Sequence, residues 1–248
     1  MQPDDQLQRL IDDFYTAFSP YPRPHTMHAS PLRDTVALLK TLSSAPLRNL
    51  AGEQIDPYAS YALTTVGDVD DYKHFLPRML ELAVHEQRWP GTQPTSIVLR
   101  LKRARWLDWP TREQAAIRAL FDAACSQVIL AHPDEEEAGN WICAYACLDL
   151  DLAPILEQWL VTPSIDAALQ LAQFMQHDAK FVFENDTSER AIWSYVDETE
   201  IHRMRRWLLG PPVHKMLLAA RGRTPPSHLW LVEKAFDALA DFRPARLH

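Results

Sequence analysis

DYKHFLPRMLELAVHE, residues 71–86, carries the pattern that decides the fold. Tyr72, Phe75, Leu76, Met79, Leu80 and Ala83 recur at three- and four-residue intervals, the period of a helix with one buried face. Asp70 or Asp71 can cap its start and favour the positive end of the helix dipole. Pro77 falls inside the pattern. Having no N–H, it is expected to kink the helix or to begin a second one. The carbonyl that loses its donor there is expected to find a replacement in His74 or Arg78, with Arg78 neutralised by an aspartate.

The same period runs outward in both directions. Upstream, Ser30 and Pro31 read as a cap and first turn, followed by Leu32, Val36, Leu39 and Leu42 on one stripe. Downstream, Thr111 and Gln114 fit a capping box opening a long helix with Ile117, Leu120, Phe121, Ala124 and Val128 inward. Asp134 to Glu137 suit an acidic first turn for the helix carrying Trp141, Cys143 and Cys147. Pro154 and Pro163 precede two more, near Ile155–Leu160 and Ala167–Met175. Phe181–Thr187 reads as irregular or extended, and helices resume near Ile201–Leu209, Val213–Ala220 and His228–Ala240. Leu229, Val232, Phe236 and Leu239 form the inner face of the last.

Composition agrees with helices. Of 248 residues only six are glycine and 19 are proline, too few glycines for a sheet protein rich in tight turns. The net charge of -8 argues against a duplex nucleic-acid partner, which requires a positive face. The charge is uneven: residues 200–248 hold nine Lys/Arg and four Asp/Glu. Three cysteines, Cys125, Cys143 and Cys147, suit a reducing compartment and serve as small hydrophobes in apolar stretches. The N-terminus, MQPDDQLQRLIDDFY, is acidic and amphipathic, without the basic and apolar regions of a signal peptide. Apolar runs break within about ten residues, short of a membrane span. A cytoplasmic location is expected, with no membrane partner.

The stretch YASYALTTVGDVDDYKHFLPRMLELA, Tyr58 to Ala83, resembles a family of uncharacterised bacterial proteins with a T-x-G-D-x-x-D-(F/Y)-(R/K)-H-F-L-P-R-x-L-E-L motif. The matching residues are Thr65, Gly67, Asp68, Asp71, Tyr72, Lys73, His74, Phe75, Leu76, Pro77, Arg78, Leu80, Glu81 and Leu82. Pro46-Leu47-Arg48 and Trp109-Pro110 are similar too. The resemblance is dense over residues 46–83 and thin elsewhere. It implies a helical fold and no reaction. Family members often carry a Cys-x-x-Cys-like element before the Pro-Leu-Arg segment, whereas this chain has His25 and His28 there without cysteines.

Asp68, Asp70, Asp71, Lys73, His74, Arg78 and Glu81 make the densest polar cluster. His74, Arg78, Glu81 and His85 share one helix edge, where a histidine beside a carboxylate could move a proton or hold a metal. The simpler reading is a structural network. Glu81/His85 and Glu198/His202 are spaced one turn apart and read as solvated rungs, and no zinc, EF-hand, Gly-x-Ser-x-Gly or phosphate-loop motif occurs. Arg100, Lys102, Arg103 and Arg105 precede Trp106, and Arg203, Arg205 and Arg206 precede Trp207. Arginine beside tryptophan can stack nucleobases or anchor an acidic protein partner, and it can also simply solvate the face opposite a buried tryptophan.

The expectation is therefore an all-α protein of about ten helices, an irregular helical-repeat-like stack of antiparallel pairs. It is read as one domain over residues 1–248, with a candidate lobe boundary near 89–94. The expected function is a non-catalytic cytoplasmic protein-binding module (scaffold, adaptor or immunity-type protein) that binds through Arg203, Arg205, Arg206 and Trp207. Neither cofactor nor metal is expected. The alternative is an enzyme or metal-binding protein centred on Asp71, His74, Arg78 and Glu81.

Overall fold

Most helices of this chain start where a short polar side chain or a proline deals with the unpaired first-turn amides. Asp34 accepts from the Ala37 amide, Asp68 from Asp70 and Asp71, Ser164 from Asp166 and Ala167, and Asp197 from Thr199. Proline does the same at the starts of three others, by lacking the amide altogether. The computed structural model describes residues 3–86, 88–162, 164–184 and 192–242, and among them all regular structure is helical: thirteen α-helices, with no strand beyond two isolated bridges. Helices α3, α5 and α10, six to ten residues long, are those that periodicity did not reveal. The chain divides into two compact units, Met1–Ala123 and Ala124–His248. The segment 89–94 lies inside the first.

The first unit holds α1 (Pro3–Phe18), α2 (Thr35–Leu42), α3 (Gly52–Ala59), α4 (Val69–His85), α5 (Pro94–Arg103) and the start of α6 (Thr111–Val128). Helix α4 is its axis and packs on α1, α3 and α5. Tyr72, Phe75, Leu76, Met79, Leu80 and Ala83 are all buried, as the period requires. Helix α4 continues through Pro77 as one element, and no second helix begins there. Its entry is shaped by Gly67, whose φ of +71° lies in the left-handed region that only glycine enters without strain. The Gly67 amide donates to His28 O at 2.7 Å, which turns the chain into the cap.

Upstream the structure departs from the pattern. Ser30–Pro31 does not open a helix; α2 starts at Thr35 under Asp34. Leu32 and Val36 are therefore 93% and 78% exposed, and only Leu42 of the expected stripe is buried. The long helix α6 begins as expected and buries Ile117, Leu120, Phe121, Ala124 and Val128. Its Gln114 donates to Leu107 O and Trp109 O, both at 2.8 Å, instead of closing a box with Thr111.

The second unit contains α7 (Ala138–Cys147), α8 (Ala153–Val161), α9 (Ile165–His177), α10 (Ala179–Glu184), α11 (Glu198–Leu208), α12 (Pro211–Arg221) and α13 (Pro226–Phe242). Helix α9 is central and packs on α7, α10, α12 and α13. Ala167, Ala168 and Ala172 keep its flank slim, and Leu169, Leu171, Phe174 and Met175 fill the space around it. Residues 134–137 lie in the loop before α7, which turns at 133–135, rather than in the helix's first turn. Residues 181–184 are helical, correcting the extended reading, and 185–187 lie outside the described residues. All three cysteines are buried, and none of them is in a disulfide.

Candidate functional site

The polar edge of α4 separates into two groups that do not converge. Asp71 closes the α4 capping box: its Oδ2 accepts the Asp68 amide at 3.1 Å. Burial raises its carboxyl above the ordinary value, Asp68 and Asp70 raise it further, and the Asp68 amide opposes them. His74 sits one turn on, with Nδ1 2.9 Å from Tyr21 O. A carbonyl only accepts, so Nδ1 carries the proton and Nε2 is left as a buried acceptor without a partner. Burial also pushes the His74 imidazole below its usual value, so the neutral form is favoured.

Arg78 and Glu81 form the other group. Arg78 donates through Nη1 to Glu81 Oε2 at 2.7 Å and through Nε to Leu50 O at 2.8 Å, while Tyr15 donates its hydroxyl to the same Glu81 oxygen at 2.6 Å. Burial, then the Glu81 carboxylate, raise the Tyr15 phenol. This triad ties α1, α4 and the segment ending at Leu50 together. His74 and Arg78 thus bond carbonyls of other segments, not the one freed at Pro77, and Arg78 pairs with a glutamate rather than an aspartate. Their geometry joins elements.

Local pattern missed the most buried ion pair on α4. Lys73 Nζ lies 2.8 Å from Glu113 Oε2, with both side chains almost fully enclosed. The Tyr21 hydroxyl bridges them, accepting from Lys73 at 2.8 Å and donating to Glu113 Oε1 at 2.7 Å. The ammonium also lies 4.3 Å from the centre of the Trp109 ring. One signal was available: Lys73 precedes buried Leu76, Pro77 and Leu80 by three, four and seven residues, the spacing of an inward stripe.

The tryptophan-adjacent arginines are largely engaged within the chain. Arg100 donates to Ser60 O at 2.7 Å, and Arg105 pairs with Asp108 at 2.6 Å in the open. Trp106 is buried beneath Arg118. In the second unit Arg203 reaches Glu200 at 3.1 Å and Asp151 at 3.4 Å, and Arg205 donates to Val182 O at 2.6 Å. Trp207 is half-buried against Trp159, ring centres 5.6 Å apart, and Arg206 is exposed. Glu198 and His202 form an exposed rung at 3.5 Å. Glu81 is turned to Arg78 and Tyr15, while His85 is exposed.

An apolar groove of about 890 Å³ opens in the second unit between the end of α8, the start of α9 and α12. Leu160, Val161, Ile165, Ala168, Met216 and Ala219 line it, together with Glu157, Lys215 and Arg223. Val161 is 78% exposed. Lys215 and Arg223 are exposed too, and among the described residues no carboxylate lies within 4.0 Å of either.

Asp178 is the most perturbed carboxyl in this unit. Burial pushes it up to about 6, with Glu137 adding to the rise and the Trp193 indole N–H, 3.1 Å away, opposing it. It packs so closely on Gly139 that a Cβ there would collide with the carboxylate. The folded pKa lies above the unfolded value of 3.8, so the folded state holds the extra proton between the two. Stability therefore falls as pH rises through that window. Asp178→Asn keeps an oxygen for Trp193 and removes the charge. It should stabilise the protein by about 3 kcal/mol at pH 7.5 and by about 1 kcal/mol at pH 4.5. Paired denaturant melts at those two pH values would show it, and equal effects at both would refute it.

Compared with protein-family models, with curated proteins and with solved structures, the chain matches none.

Proposed function

We propose that the protein is a non-catalytic cytoplasmic binding module of the scaffold, adaptor or immunity type, and that the groove between α8, α9 and α12 is its docking face. The groove itself carries this reading. Apolar side chains left open to water at this scale mark interaction surfaces. A site for a small molecule would enclose most of its ligand, whereas Val161, Pro211, Pro212, Lys215 and Arg223 leave this one open along its edge. Such a groove suits a partner that brings its own cover, as an amphipathic helix does. Lys215 and Arg223 supply the charge preference: the partner presents apolar residues to the floor and carboxylates to these two cations. The excess of Lys/Arg in residues 200–248 points the same way.

The test uses two labelled helical peptides with the same leucine face, one flanked by glutamates and the other by lysines. Fluorescence anisotropy should show binding of the acidic peptide only. Lys215→Glu with Arg223→Glu should reverse that order, and Met216→Asp should abolish binding without lowering the melting temperature. Equal binding of both peptides, or binding of an apolar carboxylate such as decanoate with neither peptide, would overturn the reading.

A further inference from the structure

His132, Asp134 and His228 come together in the second unit with ligand atoms all within 4.8 Å of one another. The first two sit on the loop between α6 and α7, where His132-Pro133-Asp134-Glu135 forms a tight turn closed by the Glu135 amide on His132 O at 2.9 Å. Pro133 holds the φ angle that such a turn needs at its second position. His228 projects from the first turn of α13, 94 residues after Asp134. We propose that these three side chains bind one divalent transition-metal ion of the zinc class, with water completing the shell.

Spacing is the first argument. Tetrahedral zinc with nitrogen and oxygen ligands at about 2.0–2.1 Å puts neighbouring ligand atoms roughly 3.3 Å apart. Asp134 Oδ2 lies 3.2 Å from His228 Nε2 and 3.6 Å from His132 Nδ1, already close to that edge length.

Protonation is the second. The Asp134 amide donates to His132 Nδ1 at 3.2 Å, so that nitrogen is an unprotonated acceptor. It therefore faces a carboxylate oxygen with no proton of its own to share. An ion taking the Nδ1 lone pair would displace this long amide contact and bridge the ring to the carboxylate 3.6 Å away. On the other ring, Ser227 Oγ lies 2.9 Å from His228 Nδ1 and can take that N–H; Nε2, 3.2 Å from Asp134 Oδ2, then presents a lone pair to an ion instead of a proton to the carboxylate. An outer partner of this kind fixes the tautomer of metal-binding histidines.

Rigidity is the third. Gln170 on α9, fully buried, donates to Ala131 O at 3.0 Å and Glu136 O at 2.7 Å, and accepts the Ala138 amide at 3.0 Å. It pins both ends of the loop that presents His132 and Asp134. Helix α13, which presents His228, packs on the same α9. The imidazole rings stand edge to face at 4.8 Å, so a common scaffold holds all three groups before any ion arrives. The Asp134 side chain is 72% exposed, which leaves a coordination position open to water.

Metal-stripped protein should take up one Zn²⁺ or Co²⁺ per chain by calorimetry, and Co²⁺ should develop the visible absorption of a tetrahedral site. Mg²⁺, which prefers all-oxygen octahedral shells, should not compete. His228→Ala and His132→Ala should each abolish the Co²⁺ band while keeping the wild-type helical signal. Ser227→Ala, which loses only the outer partner, should weaken binding about 10-fold or more. Absence of stoichiometric uptake would overturn the site, as would uptake undiminished in both histidine variants, which would place the ion elsewhere. Metal binding in chain that ignores both peptides leaves the metal site standing and removes only the docking groove.

Discussion

Glu113→Ala should destabilise the protein by about 3–5 kcal/mol, because it strands the Lys73 ammonium in the interior of the first unit. Glu113 is completely buried and Lys73 is 5% exposed, so water cannot take the place of the lost carboxylate. The Tyr21 hydroxyl would lose its acceptor and keep only the incoming Lys73 donor. Part of the charge remains stabilised by the Trp109 and Tyr21 rings, whose centres lie 4.3 and 4.7 Å from Nζ, so the loss stays within that range. The pair as a whole is another matter. Desolvating two ions offsets most of their attraction, and Lys73→Met with Glu113→Leu should leave stability unchanged or raise it by about 1–4 kcal/mol. Urea unfolding of the single and double variants measures both. A single-variant loss below about 1 kcal/mol, the size of a surface substitution or smaller, would show that the pair is solvated.

Phe75→Ala should cost a similar 3–5 kcal/mol, for a different reason: it leaves a void. Phe75 is fully buried, with its ring 4.7 Å from Tyr58 and edge-on to His74 at the same separation. Its neighbours on the stripe, Leu76 and Met79, are also buried on α4, a helix held at its N-terminus by the capping box and from α1 through the Tyr15–Glu81 hydrogen bond. Collapse into the void is therefore restricted. Leu32→Ala and Val36→Ala provide the control, since these equally apolar side chains lie in water and their loss should stay within about 0.5 kcal/mol. A Phe75→Ala loss as small as theirs would show that this face of α4 does not pack.

The polar motif over residues 65–82 has an intramolecular task for many of its residues here. Gly67 takes the left-handed turn, Asp68 and Asp71 cap α4, Lys73 enters the buried pair, and Arg78 and Glu81 join α4 to α1 and Leu50. His74 holds Tyr21 O. A dense polar motif can thus specify how one helix is mounted without specifying a reaction.

The sequence by itself determined the helical class, because the 3.6-residue period, the caps and the scarcity of glycine are all local properties. It determined the inward faces of α4 and α6, and much of that of α13, where Val232 and Leu239 are buried while Leu229 and Phe236 are partly covered. Local periodicity says which residues share a face, not what covers that face. Nothing in the spacing of Leu32 and Val36 distinguishes them from a core stripe; only the late start of α2 at Thr35 leaves them exposed. Lys73 and Gln170 are polar residues whose partners come from 40 residues away on α6 and from the loop before α7. His132 and His228 have no spacing rule linking them. Their meeting depends on α9, which supports both the loop and α13, and long-range packing of that kind is decided by the tertiary structure alone.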